Sequence, residues 1–299
     1  MKRTIPAITA VAAVSLVLGG CAAPSAPEND GIAIVASTSV YGDIATSIVG
    51  DLGTVTSIIS DSGVDPHSFE ASARDQLAIA DADLVITNGG GYDPFMGPLV
   101  EASGSTAVVI DAVDLSGLDG GDQVDGFNEH VWYSLEGMTQ VIGHIAEELG
   151  KIDPANAVTF DENSATLIVE VEKLETRAAE FAGQFAGAGA AVTEPVPVYL
   201  LEAVGLENLT PSDFTEAIEE GNDVPPLALE DTLDLFASGS VRVLAYNSQT
   251  ASPETERVRQ TAEAAGVPVV QFTETLPEGS DYVSWMSDNL DALSAALQP

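Results

Sequence analysis

Two of the three histidines in this 299-residue chain stand where a metal ligand could stand. His67 lies in Val64-Asp65-Pro66-His67-Ser68, and His130 lies in Asn128-Glu129-His130-Val131-Trp132. A neutral imidazole lends a nitrogen lone pair to a divalent transition metal, and carboxylates add harder oxygen donors. Two acids of the second half offer that oxygen. Glu194, in Val192-Thr193-Glu194-Pro195, follows a β-rich run, and Asp281, in Gly279-Ser280-Asp281-Tyr282, precedes the last helical pattern. No two of the four share a local metal-binding spacing, so only the fold could bring them together. His144, set between apolar residues of a helical pattern, reads as a structural or surface residue. Asp65, Glu70 and Glu129 are local acids able to take the second ring nitrogen of a ligating histidine, or simply to be solvated.

The elements that must position these residues alternate. "IAIVAST", "TVTSII", "LVITNGG" and "TAVVIDAV" are short apolar runs that predict strands, with helical patterns "VYGDIATSIVG" and "RDQLAIADA" between them. Strand and helix in turn predict a parallel sheet covered by helices. "HVWYSLEGMTQVIGHIAEELG" is helical, and after Asp153-Pro154 a pattern with Leu167, Val171 and Leu174 on one face runs on without an internal proline. The alternation then resumes with "AAVT", "VRVLAYNS", "ETERVRQTAEAAG", "VPVVQFTE" and a closing helix. The predicted fold is therefore α/β, with two lobes, each a mostly parallel sheet flanked by helices, joined by one long linking helix. The predicted divisions are a lobe over 32–150, the linking helix over 151–187 and a second lobe over 188–299. In open sheets of this kind ligands lie beyond the carboxyl ends of the strands. That is where His67 and Glu194 fall, and Asn247, closing "VRVLAYN", would face the same cleft. A long helix between lobes also predicts little lobe movement on binding.

Lys2 and Arg3 followed by an apolar run to Leu18 predict a signal peptide over 1–20 and hence export. Leu18-Gly19-Gly20-Cys21 resembles the lipobox of bacterial lipoproteins, which makes Cys21, the single cysteine, a lipidation site. Residues 21–31 read as a flexible tether. The chain carries 9 basic against 47 acidic residues, a formal charge of −38. That excludes nucleic acid as a natural partner, since phosphate binding needs Lys and Arg. "NGGGYDPF" lacks the lysine of a phosphate-binding loop and reads as a turn at a strand end, packed by Tyr92 and Phe95. Asp119, Asp122 and Asp125 mark an acidic, glycine-rich loop.

The stretches "VDPHSFEASARDQLAIADADLVITNGGGYDPFM", "NEHVWYS", "VTEPVPVYLLEAVGL", "VRVLAYNSQTASPETE" and "TETLPEGSDYVSWMSDNLDAL" occur in that order. In them the chain resembles the metal-specific solute-binding lipoproteins of bacterial ABC importers, over nearly its whole mature length. The resemblance implies His67, His130 and Glu194 as metal ligands, with Asp281 as the fourth. The family's last acid commonly follows the glycine directly, whereas Ser280 intervenes here. It also implies a divalent metal as cargo, an importer permease and its ATPase subunit as partners, and a monomer anchored by lipid outside the bacterial cell membrane. Two imidazoles and two carboxylates favour Mn(II), with Zn(II) next and Fe(II) compatible. The chain would not be an enzyme. A surface adhesin or structural lipoprotein, a receptor for an organic solute, and a secreted metallohydrolase are the alternatives. The last is disfavoured by the lack of His-Glu-x-x-His and Gly-x-Ser-x-Gly.

Overall fold

The computed structural model describes residues 31–64, 66–118 and 126–298. The predicted signal peptide, the tether up to Asp30 with Cys21, and Asp65, Asp119, Asp122 and Asp125 lie outside them. Among the described residues no helix is long and apolar enough to cross a membrane.

The first lobe runs β1 (Ile32–Thr38), α1 (Ser39–Val49), β2 (Gly53–Ile59), α2 (Ala73–Ala80), β3 (Leu84–Thr87), α3 (Met96–Ser103), β4 (Val108–Asp111) and α4 (Ala112–Leu115). Helix α5 (Leu135–Ile152) and the 29-residue α6 (Ala157–Phe185) follow. The second lobe runs β5 (Ala188–Val192), α7 (Val198–Ala203), β6 (Leu206–Asn208), α8 (Ser212–Glu219), α9 (Pro226–Ser238), β7 (Val241–Asn247), α10 (Pro253–Ala264), β8 (Val269–Phe272) and α11 (Tyr282–Leu297). All strand pairs are parallel, in the order β2-β1-β3-β4 in one sheet and β6-β5-β7-β8 in the other.

Alternate residues of the central strands feed different cores, as expected of parallel strands covered on both faces. Ile34 and Ala36 of β1 join the main core while Val35 faces the α2–α3 layer. In the second lobe Val243 and Ala245 of β7 join that same main core, and Leu244 and Tyr246 face away. The main core thus runs through both lobes without interruption. Helix α6 supplies Phe160, Val171, Leu174 and Ala178 to it, at the spacing of one helix face, and spans about 43 Å at 1.5 Å per residue.

Helix α11 is a second tie, which the periodicity did not foretell. Arg177 of α6 donates to Asp291 and to Ser287 of α11, and the Tyr282 amide donates to Asp43 of α1 at 2.9 Å. Periodicity predicts no elements between Val196 and Ser240. Helices α7 to α9 and the three-residue β6 occupy that stretch. Its prolines mask the pattern: Pro197 and Pro211 precede α7 and α8, and Pro226 opens α9.

Candidate metal centre

The carboxyl ends of both sheets face one cleft, and the site is built from loops that leave them. After β2 a tight turn over Pro66–Ser68 presents His67. After β3 the chain turns through Gly89, Gly90 and Gly91, all at positive φ, a conformation that side chains with a Cβ rarely adopt. Asp93 closes this turn by accepting from the amides of Asn88 (2.7 Å) and Gly89 (3.0 Å). The glycines also allow a close approach, for a Cβ on Gly90 would come within 3.0 Å of the Glu129 Cβ. Tyr92, at the end of this turn, stands edge-on to His67 (centroids 5.2 Å apart) and packs against His130 (5.6 Å) and Trp132 (4.6 Å). One buried phenol ring therefore props both imidazoles.

His130 is fully buried. Its Nδ1 lies 2.8 Å from Asn128 Oδ1, and the Asn128 amide nitrogen donates to the Pro195 carbonyl of the second lobe at 3.0 Å. The second bond fixes the amide, so Asn128 presents an acceptor and His130 Nδ1 carries the proton. Nε2 then holds the lone pair. It is buried, has no hydrogen-bond partner, and faces Glu219 Oε1 at 3.7 Å. Burial, followed by the nearby His67, pushes the His130 pKa well below its ordinary value. A neutral imidazole with an inward lone pair is the state in which histidine binds a metal.

The second lobe answers with carboxylates. Asn247, at the end of β7, gives one amide hydrogen to Glu194 Oε2 (2.5 Å) and the other to Glu274 Oε1 (2.6 Å). Thr250 adds a bond to Glu194 Oε2, and Gln249 holds the Glu274 amide while donating to the Ser62 carbonyl across the cleft (2.8 Å). Ligand atoms of His67, His130 and Glu274 all lie within 4.8 Å of one another, as do those of His67, Glu129 and Glu219. Burial and then neighbouring charges raise the carboxyls of Glu129 to about 7 and Glu219 to about 9. So many acids around two imidazoles are a place for a cation.

Of the residues expected from sequence, His67 and His130 come together. Glu194 is buried one amide away from them and belongs to neither group. Asp281 is brought elsewhere. It is the exposed N-cap of α11, where its carboxylate accepts from the Ser284 amide at 2.8 Å and the Ser284 hydroxyl takes the Asp281 amide. A carboxylate satisfying a helix end is committed to structure. Glu274 stands beside the imidazoles instead. It follows β8 much as Glu194 follows β5, so the rule that placed one could have placed the other. Glu219, at the end of α8, had no such signal. Asn247 supports the carboxylates, as its strand-end position suggested. Behind His130 stands an amide, Asn128, which takes its second nitrogen, while Glu129 Oε1 faces His67 Nε2 at 3.9 Å. His144 is a surface residue beside Glu147.

Residues 34–296 match the family model for the zinc-uptake complex component A, periplasmic. The chain belongs to this family. The manganese-binding lipoprotein MntA of Halalkalibacterium halodurans is 29% identical over 170 residues, 54% of each chain. The iron ABC transporter substrate-binding lipoprotein MtsA of Streptococcus pyogenes is 25% identical over 298 residues, 90% of each chain. Among solved structures, the nickel complex of the binding protein FpvC from P. aeruginosa superposes with a TM-score of 0.73 at 26% identity, covering 90% of this chain and 97% of that one. A family of uptake-complex components makes the chain a binding protein rather than an enzyme, and the hydrolase alternative falls away.

Proposed function

We propose that this protein is an extracytoplasmic receptor that captures one divalent transition-metal ion between its lobes and delivers it to an ABC importer permease driven by its ATPase subunit. The observation that carries the reading is the neutral, buried His130, its Nε2 without a hydrogen-bond partner and aimed into a cluster of carboxylates. His67, His130 and Glu274 bind the ion, and Glu194, held on the same Asn247 amide as Glu274, completes the set. Lipidation at Cys21 tethers the protein, as a monomer, to the cell membrane.

An oxygen-rich set with two imidazoles suits Mn(II), with Zn(II) second and Fe(II) compatible. Affinity alone does not name the cargo, because the same donors hold zinc at least as tightly. Native mass spectrometry of the chelator-stripped protein, offered Mn(II) and Zn(II) separately, tests the reading. One retained ion is expected for the parent and none for the His67→Ala/His130→Ala variant. Equal binding by the variant would refute the site.

A further inference from the structure

The two groups of ligand atoms share His67 and differ in depth. His130 and Glu274 are buried at the base of the cleft, whereas His67 and Glu219 line its open part, a cavity of about 520 Å³ walled further by Glu220, Asp223 and Glu254, with no Lys or Arg among the described lining residues. Glu129 comes from the first lobe and Glu219 from the end of α8 in the second, so this outer trio also spans the cleft.

We propose that His67, Glu129 and Glu219 form an outer cation position through which a divalent transition-metal ion enters and leaves the inner one. This rests on the metal-receptor reading above. The spacing supports a relay. Atoms that share a metal at about 2.1 Å stand roughly 3–4 Å apart. Glu129 Oε1 lies 3.9 Å from His67 Nε2, and Glu219 Oε1 lies 3.7 Å from His130 Nε2. The unpartnered His130 nitrogen, fully buried and aimed at Glu219, is thus the next donor an ion on the outer trio would meet. A neutral imidazole has a single acceptor lone pair, so His67 cannot hold two ions at once. The positions are therefore alternatives visited in turn, not a dinuclear centre. Passing between them exchanges Glu129 and Glu219 for His130 and Glu274 while His67 is kept, so the ion need not shed its water in one step.

Stopped-flow fluorescence tests this, with Trp132 as reporter because its ring lies 5.1 Å from that of His130. Zn(II) association, and dissociation into excess chelator, are measured for the parent, Glu129→Gln, Glu219→Gln and the double variant. Asp223→Asn and Glu254→Gln, which line the cleft but belong to neither trio, are measured beside them. A relay is a kinetic intermediate, so its loss should slow both association and dissociation of the double variant, by about tenfold or more, with one ion still bound. Loss of stoichiometric binding, or faster dissociation alone, would make the two glutamates ligands of the inner position and overturn the relay. Slowing no greater than in the two control variants would reduce it to the general negative field. A parent that binds no ion would overturn the receptor reading and the relay with it.

Discussion

Asn128 decides which nitrogen of His130 meets the cleft, and Asn247 decides which carboxylates do. Since Asn247 holds Glu274 in place, Glu274→Gln should keep the fold and lower metal affinity by at least about tenfold, measured by competition with a chromogenic chelator. Unchanged affinity would remove Glu274 from the ligand set. The crowded acids also set a pH dependence. In the stripped protein, burial and neighbouring charge raise Glu129 to about 7 and Glu219 to about 9. Each then binds its proton more tightly folded than unfolded. Their contribution is complete below the ordinary carboxyl range and lost as pH rises through those values. Thermal unfolding of the stripped protein should therefore move to lower temperature from about pH 5 to about pH 9, and added metal should flatten the trend. A stripped protein that gains stability over that range would contradict the assignment. At this scale the sequence was legible where a residue type is rare. His67 and His130 could be found because the chain has three histidines in all, whereas Glu219 and Glu274 are two acids among 47, distinguished only by what folds against them.

Elements explain why Asp281 looked like a ligand. It sits between the last strand and the last helix, the region from which resemblance takes an acid, but its own helix claims it. Asp281→Ala should leave metal stoichiometry intact and cost about 0.5–2 kcal/mol of stability through loss of the cap, seen as a lowered melting temperature. Loss of metal at unchanged stability would restore Asp281 to the site. The strands and long helices were legible because both sheets bury both faces, so their strands read as apolar runs, and α6 repeats one apolar stripe. The region from α7 to α9 was not, because its helices are short, its strand has three residues, and the prolines that begin helices there look like breaks. The crossing of α11 to the first lobe was hidden for another reason. Periodicity reports that a face is apolar, not which lobe covers it.

For the whole molecule the decisive fact is that one core threads both lobes. Tyr133 packs edge-on to Trp285 at 5.4 Å and donates to the Thr273 carbonyl at 2.7 Å, and Tyr282 donates to the Trp132 carbonyl at 2.7 Å. Opening the lobes widely would unpack these rings and break α11 from α6. Small-angle scattering of stripped and loaded protein should therefore give radii of gyration that agree to within about 1 Å, metal capture being confined to side chains and cleft loops. A larger contraction would indicate hinge closure. The repeated strand order has a consequence of its own. Asn88 follows the third strand of one sheet in spatial order, and Asn247 ends the third strand of the other. Asn88 donates to the Glu129 carbonyl at 3.0 Å, steadying the backbone that carries His130, while Asn247 grips Glu194 and Glu274. The two half-molecules thus meet as topological counterparts, each with a carboxamide at the carboxyl end of its third strand. One sets nitrogen and the other sets oxygen, so the chemical asymmetry of the centre is written onto a matched pair of scaffolds.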